Sequence, residues 1–173
     1  MTVATETHTL PLRQLLFKDL EQEFATTRKF LERVPMEQAE FKPHPKSFSL
    51  LHLANHLAGF PSWGLDTLKV DVLDFQSDGT PPKPLGTREE LLEHFDRTLL
   101  EFKETLNQSS DEHLNFVWTM KSGDQVFMHQ PRHEVLRNGI ISHMVHHRAQ
   151  LGVYFRLLGL PVPTSYGPTA DEF

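Results

Sequence analysis

Apolar residues recur along this chain mostly at the three-, four- and seven-residue spacings of a helix rather than with the alternation of a strand. Between Leu12 and Val34 the set Leu16, Leu20, Phe24, Leu31 and Val34 marks one face, with Lys, Glu and Arg filling much of the rest, and predicts a first amphipathic helix. Pro35 stops it. The segment Phe41–Phe48 (FKPHPKSF) reads as a loop, because residues that precede proline are biased away from helix. Ser49 suits an N-cap, so a second helix is predicted from Leu50, burying Leu53, His56, Leu57, Phe60 and Trp63, with a kink at Pro61.

Residues 76–86 (QSDGTPPKPLG) are too rich in proline and glycine to be helical. Thr87-Arg88-Glu89-Glu90 fits a capping box, and Leu91, Leu92, Phe95, Leu99, Phe102 and Leu106 form the stripe of a third helix. From Phe116 to Met128 the pattern turns β-like, with FVWTM and QVFMH flanking Lys121-Ser122-Gly123-Asp124, which predicts a short hairpin or extended excursion. Pro131 suits the first turn of a fourth helix and Gly159 the position past its end, leaving LPVPTSYGPTADEF as an irregular tail. The expected fold is all-α, a four-helix bundle with a long, partly extended connection before the last helix. A length of 173 residues fits one domain spanning 1–173.

The chemistry is concentrated in the fourth helix. An α-helix turns once in about 3.6 residues, so His143 and His147 share a face and can aim two imidazoles at one point. Their stripe continues as Leu136, Ile140, Leu151, Tyr154 and Leu158, so both rings should face the interior, where each needs a hydrogen-bond partner or a metal. Helix two carries a second pair, His52 and His56. His56 lies on the stripe of Leu53, Phe60 and Trp63 and is the better third ligand, with His52 farther toward the flank. Three neutral imidazoles leave a divalent ion an open position, the pattern of a catalytic site. His146 lies on another face, and His44, His94, His113, His129 and His133 read as packing or exposed residues.

Charge and composition narrow the alternatives. With 17 basic and 23 acidic residues the net charge is -6 and no basic run could track a phosphate backbone, so nucleic acid is not an expected partner. The absence of cysteine excludes disulfides, thiolate-bound zinc and a protein thiol nucleophile. No signal-peptide pattern or membrane-length apolar run stands out, and the expected location is cytoplasmic, with no membrane partner. A metal-free general base at His143 or His147 is the competing reading. The G-x-S-x-G turn is missing, the Glu-x-x-His repeat of di-iron bundles is missing, and Met144 stands where HEXXH would need its glutamate.

Two stretches are similar to a known family. The run HMVHHRAQLGVYFRLLGLPVPTSYGPTADE, with its H-x-x-x-H-R-x-Q core followed by YGP, resembles the last helix and tail of the DinB-like (DinB/YfiT) metalloenzyme superfamily. FKPHPKSFSLLHLANHLAGFPSW resembles the second-helix segment of the same family. The resemblance implies a four-helix bundle, usually a homodimer, holding a divalent metal on three histidines that map onto His56, His143 and His147. Arg148 and Gln150 match the motif without a role that sequence can assign. His52 departs from the pattern and leaves open a fourth ligand or a supporting partner.

Characterised relatives include thiol-dependent transferases and a thiol-dependent maleylpyruvate isomerase. The expected cofactor is therefore one divalent ion, Zn²⁺ or Ni²⁺ before Fe²⁺ or Mn²⁺. The expected partners are a small-molecule substrate, a low-molecular-weight thiol and a second copy of the chain. Transfer of that thiol to an electrophile is favoured over hydrolysis by metal-activated water or a non-catalytic metal-binding stress role. A pocket lined by Trp63 and Tyr154 would hold the electrophile.

Overall fold

The computed structural model describes residues 10–77 and 83–173. The first helical stretch is interrupted: α1 spans Leu12–Leu16 and α2 spans Leu20–Leu31. The continuous helix expected from Leu12 to Val34 breaks because tertiary contacts outweigh the periodicity. Phe17 turns into the core, and Arg137 grips the Asp19 carboxylate at 2.8 and 2.9 Å and the Leu16 carbonyl at 3.3 Å. Pro35 leads into a single 3₁₀ turn at Met36–Gln38.

Helix α3, Leu50–Lys69, begins at Ser49, whose hydroxyl accepts from the His52 amide at 3.3 Å, and it continues through Pro61. Helix α4, Arg88–Gln108, opens with the full capping box: Thr87 Oγ1 accepts from the Glu90 amide, and the Glu90 carboxylate accepts from the Thr87 amide. Part of the proline-rich connection before it, residues 78–82, lies outside the described residues. A short helix α5, Asp111–Asn115, follows α4 and is capped by Ser110.

The excursion before the last helix is a β-hairpin of β2, Val117–Ser122, and β3, Gln125–Pro131. Its two-residue turn puts Gly123 at φ 57°, in the left-handed region that glycine enters without steric cost. A three-residue strand β1, Val72–Asp74, adds in parallel to β2, with Val72 opposite Thr119. The order is β1-β2-β3, so the all-α expectation is corrected to a mostly helical fold with a small three-stranded sheet. A strand of three half-exposed residues is too short to leave a periodic signal. Buried Arg132 fastens the sheet to the end of α3, donating to the Thr67 carbonyl at 2.8 Å, the Val70 carbonyl at 3.2 Å and Asp71 at 2.5 Å.

The last helical stretch starts as α6, Arg132–Glu134, widens into a π-helical segment at Val135–Ser142, and tightens into α7, His143–Leu157. It ends in a Schellman motif: Gly159, at φ 71°, donates to the Arg156 carbonyl at 3.1 Å, and Leu160 donates to Phe155 at 2.9 Å. Helices α2, α3, α4 and α7 share one apolar core. Phe24 packs against Phe95 and Phe102 at centroid separations of 6.0 and 5.8 Å, and Phe30 stacks on Phe155 at 6.0 Å. Among the described residues no helix is long and apolar enough to cross a membrane.

Helices α3 and α4 meet at Gly64, where a β-carbon would stand 2.7 Å from Phe102 Cε2. The Phe102 ring is fully buried against Phe24, so it has little room to yield. Gly64→Ala should therefore lower stability by about 1 kcal/mol, as overpacking costs of about 1–3 kcal/mol exceed the ~1 kcal/mol that alanine gains in helix propensity. Urea denaturation measures this, and an unchanged or raised midpoint would show that the ring moves freely.

Candidate metal centre

Helix α3 contributes His56 and helix α7 contributes His143 and His147, and the packing of these two helices brings the three rings into one cluster. The centroid of His56 lies 4.5 Å from that of His147 and 5.3 Å from that of His143, which are 4.6 Å from each other. One ring nitrogen from each falls within 4.8 Å of the other two, a set that could hold a single ion. Phe60 meets the edges of His56 at 4.9 Å and His143 at 5.1 Å, and Trp63 meets His56 at 5.3 Å. These aromatic rings wall one side of the cluster, which is half-buried at His56 and His143 and buried at His147.

The hydrogen bonds around the rings decide where their protons sit. His143 Nδ1 lies 3.3 Å from the Gly139 carbonyl, in the π-helical segment, and a carbonyl can only accept, so Nδ1 carries the proton. His147 Nδ1 lies 2.7 Å from Gln150 Oε1, which imposes the same tautomer. Both Nε2 atoms are then left with lone pairs, and they face each other at 2.8 Å. His56 Nε2 is buried with no hydrogen-bond partner among the described residues. Two converging ring nitrogens with lone pairs and a third, unpartnered imidazole beside them, within 4.8 Å of one another, suit a cation, and the residues present fit one.

Burial also keeps these rings neutral, the state in which imidazole binds metal. Desolvation, reinforced by the neighbouring His147, His143 and His52, lowers the pKa of His56 to about 4. Desolvation likewise lowers His143 and His147, against opposing hydrogen bonds from Gly139 and Gln150.

Beside His56 opens a cavity of about 620 Å³ lined by Leu51, His52, Asn55, Trp63, Leu85 and His94, among others. Asn55 holds its wall in place, donating to the Leu85 carbonyl at 3.0 Å and accepting from the Leu85 amide at 2.8 Å. Trp63 lines this cavity, but Tyr154 does not, which corrects the expectation that the two share a pocket. Tyr154 donates to the Phe48 carbonyl at 3.0 Å and borders a separate depression of about 310 Å³ with His147 and Gln150. A side chain two turns along α7 from His147 is directed by the loop before α3, which helical spacing could not reveal.

His52 stands outside the cluster, exposed and stacked on Phe48 at 4.2 Å, on the rim of the larger cavity. His146 is exposed too, and its Nε2 accepts from Gln150 at 2.9 Å. His44, His113 and His129 make local polar contacts to the Lys46 amide, the Leu68 carbonyl and the Thr119 hydroxyl. His94, half-buried and close to Ser62 and Arg97 at 3.4 Å each, also forms part of the cavity wall. Its place in the wall depends on how α4 packs on α3.

Arg148 also acquires a role. It is buried, donating to the Glu23 carboxylate at 2.7 Å, the Glu23 carbonyl at 2.9 Å, Thr27 at 3.2 Å, Ser165 at 3.1 Å and the Tyr166 hydroxyl at 3.2 Å. Tyr166 in turn donates to Glu23 at 2.9 Å, so the tail motif YGP is tied to the same pair.

Comparison with known proteins finds relatives for the chain and its fold. The sequence profile of the DinB family matches residues 1–173. A crystal structure of a DinB-like protein from Bacillus cereus superposes with a TM-score of 0.64 at 20% identity, covering 87% of this chain and 95% of that one. A DinB-like protein from Bacillus subtilis superposes with a TM-score of 0.61 at 17% identity, covering 87% of this chain and 97% of that one. At these identities the likeness speaks for the fold. No curated protein matches the sequence.

The lowered pKa of His56 has a consequence for stability. Above pH 6.5 its ring is neutral in both the folded and unfolded chain; between 6.5 and about 4 only the unfolded ring takes up a proton. Stability of the chelator-treated protein should therefore fall as pH drops through that window and level off, for this group, below it. Urea titrations across the window should show a shallower fall for His56→Leu than for the wild type. Parallel curves would mean that His56 titrates normally in the folded state.

Proposed function

The chain belongs to the DinB family, and from that premise we propose that it holds one divalent ion on His56, His143 and His147 and transfers a low-molecular-weight thiol to an electrophilic small molecule. The observation that carries the reading is the convergence of two Nε2 lone pairs at 2.8 Å beside the unpartnered His56 Nε2. An all-imidazole donor set favours Zn²⁺ or Ni²⁺, ahead of Fe²⁺ and Mn²⁺ in the affinity series. The chemistry such an ion supplies is Lewis acidity, which lowers the pKa of a thiol or water beside it.

The chain's own residues supply the setting. Gly139 and Gln150 hold the Nδ1 protons of His143 and His147 away from the cluster. Phe60 and Trp63 pack edge-on against the His56 ring and cover part of the cluster. Leu51, Trp63 and Leu85 give the larger cavity an apolar surface on which an electrophile can rest, so proximity adds to activation. Since the chain contains no cysteine, the thiol comes from outside.

The purified protein should contain one divalent ion per chain by elemental analysis, and His56→Ala, His143→Ala and His147→Ala should each fall to background after dialysis. Full retention by these variants would place the metal elsewhere. The metal-loaded protein should conjugate an electrophile with glutathione, bacillithiol or mycothiol faster than His147→Ala does. Metal-dependent cleavage of an ester or amide without any thiol acceleration would replace transfer with hydrolysis.

The same reading includes self-association into a homodimer, supported by apolar side chains left exposed on α1 and α4, Leu15 at 52% and Leu100 at 60%. Sedimentation at micromolar concentration should show a species of twice the 20.0 kDa chain mass. A single species at the chain mass would remove the dimer from the proposal.

A further inference from the structure

The two α7 histidines are oriented by partners of different kinds. His143 relies on a backbone carbonyl of the π-helical segment, whereas His147 relies on the exposed side chain of Gln150. We propose that Gln150, itself held by His146, is the positioning residue of the metal centre: it selects the tautomer of His147 that points a lone pair at the ion. This inference rests on the metal site proposed above.

The argument follows from the two unlike ends of a carboxamide, an oxygen that only accepts and an NH₂ that only donates. With Oε1 at 2.7 Å from His147 Nδ1, the ring proton must sit on Nδ1, and Nε2 keeps its lone pair toward His143. Turned end for end, the amide would present NH₂ to Nδ1, force the proton onto Nε2 and remove one ligand atom from the cluster. At its other end Gln150 Nε2 lies 2.9 Å from His146 Nε2, which accepts from it when the His146 proton sits on Nδ1. His146 and His147 stand four and three residues before Gln150, so one side chain can reach both across a single helical turn. Holding the amide at both ends also limits its loss to water, to which an exposed side chain is otherwise open.

Partners that orient metal-bound histidines commonly change metal affinity by about 10–100-fold when removed. The full-length protein should therefore show zinc affinity, measured by competition with a chromophoric chelator, about 10–100-fold weaker in Gln150→Leu. Gln150→Glu keeps an acceptor at the same place and should match or exceed the wild type. His146→Ala should weaken binding in the same direction by less than Gln150→Leu does. Because Gln150 is exposed, melting of the zinc-free protein should be unchanged in all three variants.

Gln150→Leu within twofold of the wild type, Gln150→Glu as weak as Gln150→Leu, or lowered melting in the zinc-free variants would each overturn the positioning role. A wild type that takes up neither zinc nor nickel would overturn the metal site and this inference together. Zinc binding that is indifferent to Gln150 would overturn this inference alone.

Discussion

A guanidinium sealed from water is tolerable only where oxygens meet its donors, and that requirement at Arg148 organises the helices around the histidine cluster. Arg148 is 2% exposed and Glu23 5%. Their pairing joins α7 to α2, and Ser165 and Tyr166 bring the C-terminal tail onto the same two residues. With Arg148 committed to α2, the preceding residue, about 100° around the helix, turns toward α3. That residue is His147. The pair therefore sets the rotation of α7 that the cluster needs, from a position that touches none of the three ring nitrogens.

On the other side of α7 the cluster is shaped by desolvation. Phe60, Trp63 and Phe48 surround the imidazoles, so the neutral ring is favoured and each polar atom must find a partner inside the protein. The Nδ1 atoms of His143 and His147 find theirs along their own helix, while His56 Nε2 finds none among the described residues. The π-helical segment contributes here by placing the Gly139 carbonyl against His143. Such segments recur at functional sites because a widened turn re-aims the residues that follow it. The small sheet, held by Arg132 at the end of α3, and the Asn55–Leu85 bonds, which set the cavity wall, secure the other helix of the site.

Much of this architecture was legible in the chain, because helix periodicity and end signals are local. Ser49, Thr87 with Glu90, Pro131 and Gly159 mark helix ends that the structure uses, and the Lys121–Asp124 turn marks the hairpin. The three-residue strand β1 and the break between α1 and α2 were not legible. The first is specified by pairing with β2, and the second by Arg137 and the burial of Phe17, so both depend on residues distant in sequence.

The sequence by itself determined that His143 and His147 share a helical face, that His56 lies on an apolar stripe, and that no cysteine competes with them, since these follow from spacing and composition. The tertiary structure brought His56, which its stripe had already favoured over His52, against the α7 pair, because the rotation of α3 against α7 is a packing outcome. It also decided the separate destinations of Trp63 and Tyr154, the place of His94 in the cavity wall, and the distinct duties of Arg148 and Gln150. The H-R-x-Q spacing states that the last two lie within one turn of His147. Which of them faces the core and which faces solvent depends on the acid supplied by α2, and a one-dimensional pattern carries no record of that partner.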